Sequence, residues 1–288
     1  MKTIHTLITD IQYLLDKRDG WFTDELSHQF SDAISTRLKG HFGAPERTPT
    51  LRLSKMGPTC PRALWYSIHH PELATPLPSW AMFKYAYGHI IEGLAIPLAK
   101  AAGHAVTGEQ DELIVDGISG HRDCVIDGCI VDIKSTSSFS FKKFKDGSIE
   151  QDDSFGYLDQ LDGYMVGSLE DPLVTVKDRA CLLAIDKQLG HMCLHEHGLR
   201  EQSIRDRIKS HKEIVRLPVP PGCECGTISD GKSGNIKLDT KASYSSYKFC
   251  CFPGLRTFLY ANGPVYLTTV VRKPDVQEID QHGKAVYR

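Results

Sequence analysis

The sequence lacks an apolar run long enough to cross a bilayer. Its start, MKTIHTLITDIQYLLDKRDG, lacks the basic-then-apolar layout of a secretory leader. Together these predict a cytoplasmic protein with no membrane partner. Charge excess is also missing: 34 Lys and Arg stand against 36 Asp and Glu, a net of -2. No global basic field draws the chain to nucleic acid, so any such binding must come from local patches. The nine cysteines form no compact, evenly spaced framework, which excludes a small disulfide scaffold and fits a reducing setting. Internal repeats are absent too.

What is present is an ordinary globular composition, and 288 residues can bury a substantial core. Helical spacing runs from the start to about residue 42, with Ile8, Ile11, Leu14 and Leu15 on one side. A break at 44–50 follows, then a short helix in CPRALWYSIHHP, ended by Pro71. A longer helix is predicted from about Trp80 to Ala102, with Ile91, Leu94, Ala95 and Leu98 on its apolar stripe. Short strands are expected at 104–107 and 112–116, a strand pair at 179–186 and 191–195, and helices at 155–167 and 199–216. The stretch after Lys134, STSSFSFKKFKDGSIEQDD, reads as a mobile loop. This order predicts an α/β fold, a mixed central sheet flanked by helices. It divides into an N-terminal helical region at 1–50, a core at 51–216 and a small Cys-containing lobe at 217–288.

The most informative segment is GHRDCVIDGCIVDIKST, residues 120–136. Asp127-Gly128 between strand-forming runs predicts a two-residue hairpin turn. Ile126 then faces Cys129, Asp123 faces Asp132, and His121 faces Lys134. One face carries Cys124, Ile126, Cys129, Val131 and Ile133 and reads as core. The other sets two like charges opposite each other, which destabilises a sheet. Two readings follow: a site for a hard, oxygen-preferring cation, or a solvated face with Lys134 neutralising the aspartates.

Other candidates are individually open. Gly88, one turn before Glu92, would let the long helix approach another backbone and bring that acid towards the hairpin; Glu92 otherwise belongs to a polar helix face. Gln160 and Tyr164 are four apart and either address one ligand together or form a buried tyrosine with a capping glutamine.

The ordered set is more specific than its parts. A helix glutamate, then G-x-x-D, D-x-K and a helix bearing Q-x-x-x-Y resembles the PD-(D/E)XK nuclease superfamily, in its RecB/Cas4-like branch, from about Cys60 to Tyr164. The tail, DGKSGNIKLD through YKFCCFPGLRTFLYANGP, is similar to phage-encoded Cas4-like exonucleases. The resemblance implies a restriction-endonuclease-like core and Mg²⁺ or Mn²⁺ held by Glu92, Asp123, Asp132 and the Ile133 main-chain carbonyl. It implies that Lys134 is the catalytic lysine and that Gln160 and Tyr164 contact DNA near the scissile phosphate. Lys142, Lys143 and Lys145, interleaved with Phe139, Phe141 and Phe144, would suit a strand-tracking contact, or else a solubilising loop. The implied activity is a DNA exonuclease in phage recombination or replication, in the host cytoplasm, with a single-strand annealing protein as a partner. The rivals are a structure- or sequence-specific endonuclease, a catalytically silent DNA-binding protein, and a zinc-binding interaction module built on Cys223, Cys225, Cys250 and Cys251.

Many nucleases of this type carry a [4Fe-4S] cluster. Cys60 and Cys251 match its outer ligand positions, but Ala242 and Ser245 occupy the two between. The expectation is a lost cluster with Cys60 and Cys251 as vestiges, making 217–288 a degenerate cluster region. Cys223, Cys225 and Cys250 are candidate substitutes for a displaced cluster or a zinc site. His195 and His197 read as surface or structural residues.

Overall fold

The computed structural model describes residues 2–17, 20–43, 49–77 and 79–287. In chain order α1 (Leu7–Asp16), α2 (Asp24–Phe42), α3 (Pro61–His69) and α4 (Ser79–Ala101) come first. Strands β1 (Val106–Thr107), β2 (Glu112–Val115), β3 (Ile118–His121), β4 (Cys124–Ile126) and β5 (Cys129–Thr136) follow. Helices α5 (Ser138–Asp146) and α6 (Tyr157–Gly167) lead to β6 (Arg179–Asp186), β7 (Met192–Gly198) and α7 (Glu201–Val215). The remainder holds β8 (Thr227–Ser229), β9 (Ile236–Leu238), α8 (Thr240–Tyr244) and α9 (Lys248–Cys251). Strands β10 (Arg256–Tyr260), β11 (Gly263–Thr269) and β12 (Glu278–Ile279) close it. Among the described residues no helix is long and apolar enough to cross a membrane.

Two compact units form. One comprises Met1–Thr48, Arg52–Gly57 and Ser79–Asp206; the other comprises Pro49–Leu51, Pro58–Pro78 and Arg207–Arg288. This grouping differs from the three consecutive stretches read from the sequence. Leu7 and Ile11 of α1 belong to the first unit's core, and 58–78 clusters with the C-terminal stretch. Positions 44–48 of the expected break lie outside the described residues.

The first unit is built on a sheet of order β1-β4-β5-β6-β7. Only β5 and β6 run parallel, from Val131↔Cys181 to Thr136↔Asp186; the other neighbours are antiparallel. A parallel pair needs a crossover, and α5 and α6 lie on it. Mixed sheet and flanking helices make the α/β fold. Cys124, Ile126, Cys129, Val131 and Ile133 pack with Leu7, Ile11, Ile96 and Ala99, as the alternation predicts. Two stripe positions differ: Leu15 and Leu94 are exposed.

The hairpin register is Ile126↔Cys129, Val125↔Ile130 and Cys124↔Val131. Asp127 (φ 50°) and Gly128 (φ 81°) are both left-handed, the backbone of a primed two-residue turn. The ladder stops at Cys124, however. His121 pairs with Glu112 in the separate β2–β3 ribbon, so the expected His121–Lys134 pair does not form. Arg122 is the cause: its fully buried guanidinium pairs with Asp111 at 2.7 Å and Asp171 at 2.6 Å. That anchorage turns the chain between β3 and β4 out of the ladder.

The expected loop after β5 is largely helix. Ser137 caps α5 by accepting from Ser140 N at 3.3 Å, and Gly147 ends it in a left-handed conformation. Phe141 and Phe144, three apart, are buried; burying that stripe outweighs the polar composition. The close approach of α4 to α2 occurs at Gly93 rather than Gly88. A Cβ on Gly93 would meet the Ile34 backbone at 3.2 Å, whereas one on Gly88 meets nothing within 4 Å.

The second unit carries an antiparallel sheet of order β12-β10-β11-β9-β8, with α3 and α9 in mutual contact.

The turn yields a test. A Cβ on Gly128 would fall 2.0 Å from Thr175 Oγ1, and a left-handed L-residue costs about 1–2 kcal/mol. Gly128→Ala therefore lowers the unfolding free energy by at least that amount, read as a lower urea midpoint at unchanged m. An unchanged midpoint contradicts the primed turn.

Candidate active site

Period-two geometry puts Asp132 and Lys134 on one face of β5. Asp132 is buried at 2% exposure, and Lys134 Nζ stands 2.6 Å from its Oδ2. Across from them α6 presents Gln160, which accepts from Lys134 Nζ at 3.2 Å. Gln160 Nε2 donates to Asp132 Oδ1 at 3.3 Å and to Tyr164 Oη at 2.7 Å. The Tyr157 ring, one helical turn before Gln160, lies 4.7 Å beneath the Lys134 ammonium. Asp123 arrives from the position just before β4, where its Oδ2 accepts from Ile133 N at 2.7 Å. Ile133 thus meets Asp123 through its amide.

Gly120 lets these layers approach. A Cβ there would come within 2.7 Å of Leu53 Cβ and 3.0 Å of the Tyr164 ring. Tyr164 is 2% exposed, and its hydroxyl accepts from Gln160.

Glu92 is half-buried on α4. It pairs with Arg37 of α2 at 2.9 Å and accepts from Gln110 Nε2 at 2.8 Å. Its charge still reaches Asp123. Among the described residues, Glu92, Asp123 and Asp132 are not a set whose carboxylate oxygens all lie within 4.8 Å of one another. Arg37 and Gln110 hold Glu92 in its present pairing.

Burial raises the Asp123 pKa well above the usual carboxylate range, and the Asp132 and Glu92 charges push the same way. For Lys134, burial pulls downward, but the Asp132 and Asp123 charges outweigh it and raise its pKa. The ammonium therefore keeps its proton at neutral pH. Burial raises the Tyr164 hydroxyl, which stays neutral.

In chemical type, though not in its present spacing, the donor set suits a hard divalent cation. It is all oxygen, one member is destabilised as an anion, and the buried Asp132 Oδ2 has the Lys134 ammonium as its partner.

The basic residues of α5 are less uniform than their spacing. Lys142 and Lys145 are exposed, but Lys143 pairs with Asp152. With Phe141 and Phe144 buried, Phe139 is the exposed aromatic of that helix. Stacking by three interleaved rings is therefore unavailable. His197 bridges Glu150 at 2.9 Å and Asp162 at 3.0 Å, and His195 also meets Glu150 at 2.9 Å; both brace the fold.

Arg37, Gln110 and Tyr157 were not read from the sequence. The Y-x-x-Q spacing could have exposed Tyr157, since it puts the ring on the Gln160 face. Arg37 and Gln110 have no local signal, being far from Glu92 in sequence.

In the second unit two of the candidate substitute cysteines join the two outer positions. Ala242 and Ser245 supply no thiol, yet Cys223 and Cys225 do. The ligand atoms of Cys60, Cys223, Cys225 and Cys251 all lie within 4.8 Å of one another. Cys250 is outside this set.

No family model matches the chain, and no curated protein matches it. Solved structures are similar, two of them as follows. The crystal structure of SSO0001 shares 15% identity at a TM-score of 0.40, covering 77% of this chain and 95% of that one. An alkaline exonuclease from Laribacter hongkongensis shares 13% identity at a TM-score of 0.36, covering 62% and 91%. At these scores neither similarity carries a functional conclusion.

The raised Asp123 pKa has a pH signature. Below the unfolded carboxylate pKa of about 4 both states are protonated and nothing is lost. As pH rises from there through the folded pKa, the native state retains protons that the unfolded state has released, and stability falls. Asp123→Asn keeps an acceptor for Ile133 N and removes this loss. In EDTA at pH 7 its Tm should exceed the parent's, by about 2–4 °C for each kcal/mol relieved, and the gain should vanish near pH 3. A lower Tm at pH 7 contradicts this.

Proposed function

We propose that this chain is a divalent-metal-dependent deoxyribonuclease hydrolysing phosphodiester bonds at DNA ends. The supporting observation is the charged Lys134, held between buried Asp132 and Gln160 beside an Asp123 carboxylate disfavoured as an anion. Asp123, Asp132, Glu92 and the Ile133 main-chain carbonyl would hold the Mg²⁺ or Mn²⁺, with Glu92 giving up its Arg37 partner. Bound there, the cation supplies a lowered water pKa and charge to offset the phosphate.

The remaining roles belong to the chain's own groups. Lys134 keeps its proton, so it works as a donor, fixing a water or phosphate oxygen and opposing the negative charge that grows in the transition state. Gln160 aligns Lys134 and Asp132 at once. Tyr164 fixes the Gln160 amide, and Tyr157 supports the ammonium from below. Exposed Lys142 and Lys145 would meet backbone phosphates through charge. The choice of DNA ends, and a role in phage recombination or replication beside a single-strand annealing protein, rest on the motif resemblance.

The test is degradation of linear and covalently closed circular DNA with Mg²⁺ or Mn²⁺, with an EDTA control. Metal-dependent loss of linear DNA alone is expected, and Lys134→Ala should lower kcat about 10²–10⁴-fold with its circular dichroism spectrum retained. Cleavage of circles would overturn the choice of ends. No cleavage of single- or double-stranded DNA with either metal would overturn the nuclease reading.

A further inference from the structure

We propose that Cys60, Cys223, Cys225 and Cys251 hold one tetrahedral zinc ion that staples the second unit, in place of an iron–sulfur cubane. The spacing of the sulfurs decides between the two. Cys60 Sγ lies 3.9 Å from both Cys223 Sγ and Cys251 Sγ, and all four sulfurs fall within 4.8 Å of one another. Four thiolates about 2.3 Å from a shared ion stand about 3.8 Å apart. In a cubane each thiolate binds a different iron, and the four sulfurs must enclose the whole inorganic core. That arrangement needs a wider set than this one. A disulfide would need an S–S separation of about 2.05 Å, and all four cysteines are free. Four soft sulfur donors without a carboxylate select zinc over magnesium or calcium.

The frame around the thiols suits a structural site. Cys60 is the N-cap of α3, with Pro61 at its first position, where the helix dipole favours a thiolate. Glu224 N donates to Cys60 Sγ at 3.4 Å, and the C-x-C pair lies on either side of that amide. The connection at 216–226 has no helix or strand and is positioned through α3. Trp65 Nε1 donates to Leu217 O at 2.9 Å, and Arg62 Nε to Pro221 O at 2.8 Å. Cys251 closes the site from the last residue of α9 and is 4% exposed. Three segments far apart in sequence thus converge through four sulfur atoms, and the ion would offset the cost of ordering the irregular one. On binding, the thiols release their protons to solvent. None of this depends on the nuclease reading.

The test uses the full chain, purified without chelator from cells supplied with both zinc and iron. Elemental analysis should give about one zinc per chain, with negligible iron and no visible absorption. A mercurial should release that zinc from the wild-type protein. Replacement by Co²⁺ should produce the thiolate-to-cobalt charge-transfer and d–d bands of a tetrahedral sulfur site. Cys225→Ser should lose the zinc, while Cys250→Ser, next to the site but outside it, should retain it. Because the first variant could fail to fold, the wild-type cobalt spectrum stands as a separate readout. About four irons per chain with a visible band that bleaches on reduction would establish a cubane and overturn the proposal. Protein free of both metals, whose four thiols alkylate equally fast with and without added zinc, would overturn it as well.

Discussion

The first unit depends on one ion pair in an unusual place, Lys134 against Asp132 in the middle of β5. Strands in a mixed sheet covered by helices are normally apolar throughout, and β5 is buried on both sides of Asp132. Desolvating such a pair costs energy that the mutual attraction only partly returns. A second carboxylate, Asp123, is then brought beside it, with Glu92 close enough to add its charge. An apolar replacement of the same volume would serve stability at least as well. The arrangement makes physical sense once a cation is counted among the partners, because it turns the repulsion among the acids into attraction.

The topology explains how the residues converge. The parallel β5–β6 pair requires a crossover, and α6 on that crossover sets Gln160, Tyr164 and Tyr157 against the face holding Asp132 and Lys134. Asp123 comes from just before the antiparallel β4–β5 hairpin. Arg122 takes the chain out of the ladder one residue before Asp123, so that its carboxylate reaches the Ile133 amide. Helix α4 carries Glu92 and meets α2 where Gly93 permits it. Glu92, Asp132, Lys134 and Gln160 sit on helices and a strand, which hold polar groups in place more closely than a loop would, while Asp123 lies in the connection just before β4.

Features governed by local rules could be read from the sequence. Asp127-Gly128 fixed the hairpin register, and the two-residue period separated the core face from the acidic one. The four-residue spacing of Gln160 and Tyr164 described a real pair. Readings failed where distant partners intervened. His121 left its expected register because of Arg122's buried ion pairs, and 135–153 looked like a loop because serine and lysine hid the Phe141 and Phe144 stripe. Glu92 gave no sign of its Arg37 tie, since that residue comes from another helix. Cys223 and Cys225 were legible as candidate substitutes, but their convergence with Cys60 and Cys251 was not, because the set forms through a C-x-C pair in an irregular connection.

On the proposed reading the acids just before β4 and on β5, Asp123 and Asp132, form a cation site that is incomplete by itself. Calorimetric titration of the wild-type protein with Mn²⁺, in buffers of differing ionisation enthalpy, tests it most directly. Saturable binding that is lost in Asp132→Asn is expected, with proton release that grows as pH is lowered, because the raised Asp123 pKa sets its proton in competition with the cation. No Mn²⁺ binding, or binding unchanged in Asp132→Asn, would contradict it.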